Sequence, residues 1–256
     1  MELLVDLHTH TIASGHAYST FTENALAASQ RGLKLLGMTD HGPSMPGAPH
    51  LFHFENLSIL PDELYGVNIL PGVEANITNY EGKLDMPLKY LSCLKLILVG
   101  LHPVCYPGGT CEQNTQAYIN AMENPYTDMM VHPGRPDFEM DLEKIAHASA
   151  LLNIPVEVNN SSLSTIREKS AARENCRSIA RYMAKYKGPV ILGSDAHFSD
   201  RVGEFGEAVE LVREVGISQH QILNTSPERV LDYLDSRRKQ RAEVSNRVQL
   251  KLNVVA

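Results

Sequence analysis

Seven short runs rich in β-branched residues and leucine recur along this 256-residue chain, and most are followed by a stretch with apolar residues at helical spacing. The strand-like runs fall at residues 3–7, 35–39, 67–73, 94–100, 128–131, 155–158 and 189–194. Helical patterns fall at 23–31, 114–123, 141–152, 174–186, 204–215 and 227–238. Such alternation predicts an α/β architecture built on a parallel sheet, and the length is close to that of a closed barrel. Cys176, Ile179, Ala180 and Met183 share one helix face, which places Cys176 in the core. Pro227 behind Ser226 marks a helix start. With no internal repeat or linker, residues 1–238 read as one domain. Residues 239–256 read as a C-terminal extension, an extra strand or a frayed tail. The proline-rich segment 42–59 reads as a long loop of the kind that is functional or mobile.

Composition narrows the function classes. At 43% apolar and 21% charged the chain is a globular type able to bury a full core. Its longest apolar stretch, 94–101, falls far short of the roughly 20 residues that cross a bilayer. The N-terminus has an acidic residue where a secretory signal wants positive charge, so a cytoplasmic location is expected. Four cysteines without a C-x-x-C pair argue against disulfides and thiolate zinc sites. A net charge of -7 gives a nucleic-acid partner no general electrostatic help. The unusual feature of the composition is its eleven histidines.

Most of the predicted strands end in histidine or carboxylate. The first runs into D-L-H-T-H, which sets Asp6, His8 and His10 on one face by strand alternation. The second ends at His41, the third reaches Glu74, the fourth His102 and the fifth His132. The seventh ends S-D-A-H, pairing Asp195 with His197, and His16 follows the first strand. In a parallel barrel all these ends open on one face, where nine metal-competent side chains would crowd one rim. Imidazole and carboxylate without thiolate are the ligand set of zinc, iron or manganese hydrolytic centres.

The motifs V-D-L-H-T-H-T, T-D-H-G, G-V-E-A-N, G-L-H, H-P-G and G-S-D-A-H strongly resemble those of the PHP (polymerase and histidinol phosphatase) family. Within it the chain resembles the small stand-alone bacterial phosphatases of the YcdX type, over about residues 1–236. H-A-Y-S-T, A-P-H-x-x-H-F, N-T-Q-A and N-N-S-S match that subgroup as well. The resemblance implies a distorted (β/α)7 barrel, TIM-like, with three divalent metal ions at the C-terminal ends of the strands. Zinc leads, with manganese or iron as alternatives. It implies one ion on His8, His10, Glu74 and Asp195, a second on Glu74, His102 and His132, and a third on His16, His41 and His197. It further suggests a homo-oligomer, with a trimer as the form the subgroup uses. Arg135, the C-Y-P-G-G-T-C loop and the C-terminal extension depart from the subgroup.

The expected chemistry is phosphomonoester hydrolysis of a small phosphorylated substrate. Glu74 and Asp195 would hold the metals that activate water, a hydroxide bridging the first two ions being the nucleophile. A metal-bound water is the expected proton donor. Asp6 could orient a ligand imidazole or belong to a polar barrel layer. Asp40, adjacent to His41, points the other way and reads as structural. His50 and His53 read as substrate-contacting lid residues or exposed loop histidines. Asn159 and Asn160 end the sixth strand, the only one without a ligand, as substrate contacts or a chain turn. His147 and His220 read as inert, and the basic run near Ser236 as a helix C-terminus satisfying its own dipole. Three rivals stand: phosphodiester hydrolysis of the exonuclease kind, an amidohydrolase-like reaction, and a metal-storing module without turnover.

Overall fold

In a computed structural model, which describes residues 1–164 and 169–255, all seven expected strands form and pair in parallel. They are β1 (Val5–Asp6), β2 (Leu35–Met38), β4 (Val67–Asn76), β5 (Leu96–Gly100), β6 (Met129–Met130), β7 (Val156–Asn159) and β8 (Val190–Gly193), neighbours in that order. A short β3 (Glu63–Leu64) adds antiparallel to β4. Helices α1 (Phe21–Gln30), α4 (Cys111–Met122), α5 (Leu142–Leu152), α7 (Lys169–Tyr186) and α8 (Gly206–Glu214) follow the expected stretches. Local chemistry starts several of them. Thr20 with Glu23, and Thr110 with Gln113, form reciprocal capping boxes, and Asp141 caps α5.

Strand alternation divides the core in two. Outward-facing Leu36, Ile69, Val73, Ile97, Val99, Val156 and Leu192 pack against the helices, where Cys176, Ile179 and Met183 of α7 meet them. Inward-facing Leu35, Leu70, Leu96, Leu98 and Ile191 form a second cluster, closed from below by Leu223, Val230 and Leu234. A (β/α) barrel thus has an apolar floor, and polar residues occupy the opposite end of its lumen.

The seam between β8 and β1 carries no ladder among the described residues. A single parallel bridge, Thr9 to Ala196, joins them, with the His10 N–H donating to the Ala196 carbonyl at 2.9 Å. Below it, the buried Asn224 side chain replaces the missing pairs. Its Oδ1 accepts from Leu192 N–H at 2.7 Å, and its Nδ2 donates to the carbonyls of Leu192 (2.7 Å) and Val5 (2.8 Å).

Three local expectations change. The proline-rich segment is not all loop: it contains α2 (Leu51–Asn56) and a 3-10 turn (Leu57–Ile59). Two further short helices, α3 (Leu88–Leu91) and α6 (Asn160–Ser164), are too brief for periodicity to reveal. The last helix, α9 (Pro227–Val255), continues through the stretch read as a strand or frayed tail, while Ala256 lies outside the described residues. Strong helix formers at 239–243, K-Q-R-A-E, carry it onward, and no glycine or proline follows to stop it. The basic run is therefore not a helix end. Arg237, Arg238 and Arg241 instead bond the carbonyls of Thr127, Lys95 and Pro125, and Arg241 also pairs with buried Asp128. No helix among the described residues is long and apolar enough to cross a membrane. The four cysteines are free thiols, and burial pushes Cys176 up to about 12.

Candidate metal centre

At the C-terminal ends of the strands, Glu74 of β4 stands fully buried among five imidazoles. Its Oε1 lies 2.6 Å from His132 Nε2 and 3.2 Å from His102 Nε2. Its Oε2 lies 2.7 Å from His41 Nδ1 and 3.4 Å from both His8 Nε2 and His10 Nε2. Asp195 Oδ1 completes the ring at 3.3 Å from His10 Nε2, 3.6 Å from His8 Nε2 and 3.4 Å from His197 Nδ1. His16 sits at the rim, its ring centroid 4.9 Å from those of His41 and His197. All nine sequence-predicted ligands are thus brought to one place.

The atoms at the centre fit divalent ions. His8 Nε2 and His10 Nε2 are buried without a hydrogen-bond partner, and His41 Nδ1 and Glu74 Oε2, though 2.7 Å apart, form no hydrogen bond with each other or any other group, a costly state for an apo protein core. Tetrahedral zinc with bonds of about 2.0–2.1 Å spaces its ligand atoms about 3.3 Å apart. The four contacts of His8 and His10 with Glu74 and Asp195, between 3.3 and 3.6 Å, match that spacing. Ligand atoms also gather as His8, Glu74 and His132; as His41, Glu74 and His102; and as His10, His41 and His197.

Charge at the centre is set by its surroundings. Burial alone would raise Glu74, but His41, His102 and His8 outweigh it and hold its carboxyl well below the ordinary range. Asp195 is held down likewise, burial opposing and His8 and His10 prevailing. Burial, reinforced by His197 and His41, pushes His10 well below the usual imidazole range, so it offers a neutral ring, the form a metal binds.

Two candidate ligands sit on left-handed backbone, His132 at φ 36° and Asp195 at φ 52°. Neither is glycine, so each carries strain of the kind concentrated at functional sites. Glycines clear the space around them. A Cβ on Gly193 would come within 1.7 Å of Glu157 Oε1, and one on Gly100 within 2.7 Å of the His132 ring.

Supporting residues differ from the sequence reading. Asp6 does not reach an imidazole: its carboxylate accepts from the backbone N–H of His8, Ser194 and Gly203, and burial raises it to about 6. The β1 ladder stops at Asp6, so strict alternation is not carried through to His8. The group that does hold the ring of a candidate ligand is Glu157 on β7, the strand read as lacking a metal ligand. Its Oε1 lies 2.7 Å from His8 Nδ1, and its Oε2 accepts from the His132 N–H and Asn159 Nδ2, both at 3.0 Å. Asn159 also donates to Asp195 Oδ2 at 3.2 Å. Asn160 instead accepts the Ala208 N–H at the start of α8, while lining a cavity beside Asp195. His10 Nδ1 rests 3.1 Å from Ser14 Oγ, which donates to Asp40 at 2.7 Å. His53 Nε2 faces Asp40 at 3.5 Å, whereas exposed His50 caps α2 through its Nδ1. Glu157 and Ser14 were legible only as an inward strand position and a loop serine.

Relatives decide the family. A protein of Thermoanaerobacter sp. (strain X514) named "Probable phosphatase" is 46% identical over 240 residues, 93% of this chain and 97% of its own length. One of Acetivibrio thermocellus with the same name is 45% identical over 241 residues, 94% of this chain and 98% of its own. The chain belongs to this family of bacterial probable phosphatases. The chain shares its fold with more distant solved structures. Histidinol phosphate phosphatase of Lactococcus lactis, complexed with Zn, L-histidinol and phosphate, superposes with a TM-score of 0.57 at 16% identity. It covers 84% of this chain and 94% of that one. A chain of archaeal ribonuclease P with mature tRNA gives 0.57 at 15%, covering 91% of each. No family model matches the sequence.

Proposed function

We propose that this family member is a metal-dependent phosphatase that hydrolyses phosphomonoesters of small molecules at a three-metal centre of the PHP kind, YcdX type. The observation that carries the reading is Glu74, an ionised carboxylate with one buried oxygen unpartnered, encircled by five histidines of which His8, His10 and His41 likewise present it a buried nitrogen without a hydrogen-bond partner. The expected three ligand sets would hold zinc, or manganese or iron in its place. Bound there, the metals would supply an ionised water as nucleophile and positive charge against the phosphate oxygens.

The chain's own residues define the rest. Glu157 holds the His8 ring by Nδ1 and turns Nε2 inward; Ser14, itself held by Asp40, does the same for His10. Asn159 fixes Asp195. Beside the ligands lies a cavity of about 200 Å³ whose lining includes one cationic side chain, Arg135. Its Nε donates to Asp137 at 3.0 Å, which aims the planar guanidinium at the place a phosphate would take. The probable phosphatase names of the relatives, and the phosphate held by the Lactococcus lactis neighbour, support the same reaction class.

The testing experiment loads one purified sample with zinc or manganese, counts ions per chain by elemental analysis, and compares phosphomonoester, phosphodiester and amide substrates. Close to three ions and turnover of the monoester are expected. One ion or none, or a preference for the diester or amide, overturns the proposal. Mass determination in solution checks the trimer expected from the subgroup.

A further inference from the structure

A second cavity, of about 290 Å³, opens beyond the phosphate-sized one and shares Asp195 and His197 with it. Those two residues form the boundary between an inner space walled by ligands and an outer space walled by other chemistry. The rim of the outer space is aromatic. Tyr18 is 76% exposed and Phe198 52% exposed, a poor arrangement for two large rings with nothing to cover. They are held side by side, because the Tyr18 N–H donates to the carbonyl of His197, the residue preceding Phe198, at 2.8 Å.

The other walls discriminate by what they lack. The one cationic side chain among the lining residues, Arg201, is paired with Glu204 at 2.7 Å. Among the described residues of the lining, no unpaired positive charge therefore waits for a second phosphate or a polynucleotide backbone. Ser164 Oγ already donates to the Asn160 carbonyl at 3.0 Å, and Ser194 Oγ to the His8 carbonyl at 3.3 Å. Hydroxyl donors committed in this way make few demands that a sugar or polyol would meet. The volume accommodates a ring-sized group and lies at the small end of ligand sites.

We propose that this outer cavity is the leaving-group site, selecting phosphomonoesters of an uncharged, ring-bearing alcohol. The assignment rests on the phosphomonoesterase reading for its orientation, with phosphate on the Arg135 side and alcohol on the Tyr18 and Phe198 side. In the reaction, a water oxygen bonds to phosphorus as the ester P–O bond breaks. Inorganic phosphate and the free alcohol result, one proton of the water ending on the alcohol oxygen. The ring is gripped by the two aromatic faces, and its attached oxygen points past His197 toward the centre.

Two non-hydrolysable probes, benzylphosphonate and propylphosphonate, separate ring binding from turnover when titrated calorimetrically into the metal-loaded protein. Benzylphosphonate should bind about tenfold more tightly. In a Tyr18→Ala, Phe198→Ala double variant the two affinities should come within about twofold of each other, with the circular dichroism spectrum reporting that the fold is kept. Initial rates with benzyl and propyl phosphate, esters of alcohols of similar acidity, should show the same preference in kcat/KM. Equal affinities in the unmodified protein, or a preference that survives the double variant, overturn the assignment. A benzyl preference in binding with neither ester hydrolysed would leave the ring site standing and remove the phosphomonoesterase reading instead.

Discussion

Glu157 Oε1 lies 2.7 Å from His8 Nδ1, below the ring whose other nitrogen faces Glu74 and Asp195. The carboxylate thereby selects the tautomer that leaves Nε2 free for a metal, and it raises the basicity of the ring. Glu157→Gln keeps the shape and removes the charge. Metal affinity, measured by competition with a chromophoric chelator, should fall about 10–100-fold. An affinity within twofold of the unmodified protein would show that Glu157 only fills space.

Metal removal should cost stability as well as activity. Among the described residues of the centre, five buried side-chain atoms, on His8, His10, His41, Glu74 and His102, are without a hydrogen-bond partner, and an ion that binds the folded chain alone stabilises it by about 4 kcal/mol at a thousandfold excess over its Kd. For a domain of this size that corresponds to about 10 °C in Tm. Scanning calorimetry before and after chelation should show that fall and its reversal on adding zinc or manganese. An unchanged Tm would argue against occupancy.

Asn224 bears on the barrel seam rather than on the centre. Below the Thr9 bridge its amide bonds both strands, twice to Leu192 of β8 and once to Val5 of β1. Asn224→Ala would leave a buried N–H and two carbonyls without their partner, and should lower the unfolding free energy in urea by about 2–4 kcal/mol. Asn224→Asp should be no better, since a carboxylate cannot donate to the carbonyls. A loss below about 1 kcal/mol would mean that water replaces the amide.

Arg135 offers a split between binding and stability. Arg135→Ala should weaken inorganic phosphate, titrated into the metal-loaded protein, by about tenfold or more, and raise KM for a phosphomonoester. Arg135→Lys should recover only part of the loss, because a lysine cannot present the planar fork. Unaltered phosphate affinity in both variants would place the guanidinium with Asp137 alone.

Much was readable before any fold was seen. Seven strands, their order along the chain and eight of the nine ligand candidates at their ends followed from periodicity of two and of 3.6, because both are local properties of the backbone; His16 was readable only as a loop residue after the first strand. The motifs around His8, His41, His132 and Asp195 carried the resemblance for the same reason: they are contiguous. Short elements such as α2, α3 and α6 escaped, being too brief for any period to register.

What the sequence by itself determined was which side chains end each strand, since alternation and turn chemistry act within a few residues. Only the tertiary structure decided which of them meet. Glu157 and His8 are 149 positions apart, and nothing in either neighbourhood announces the other. Asp6, three residues from Thr9, faces backbone amides instead of a ligand ring, because the β1 ladder ends where alternation was assumed to continue. Asn224 closes a seam between the first and last strands. Such partners are chosen by barrel closure, which brings distant segments within hydrogen-bond reach and leaves a buried polar atom no alternative but to find whichever group the fold presents.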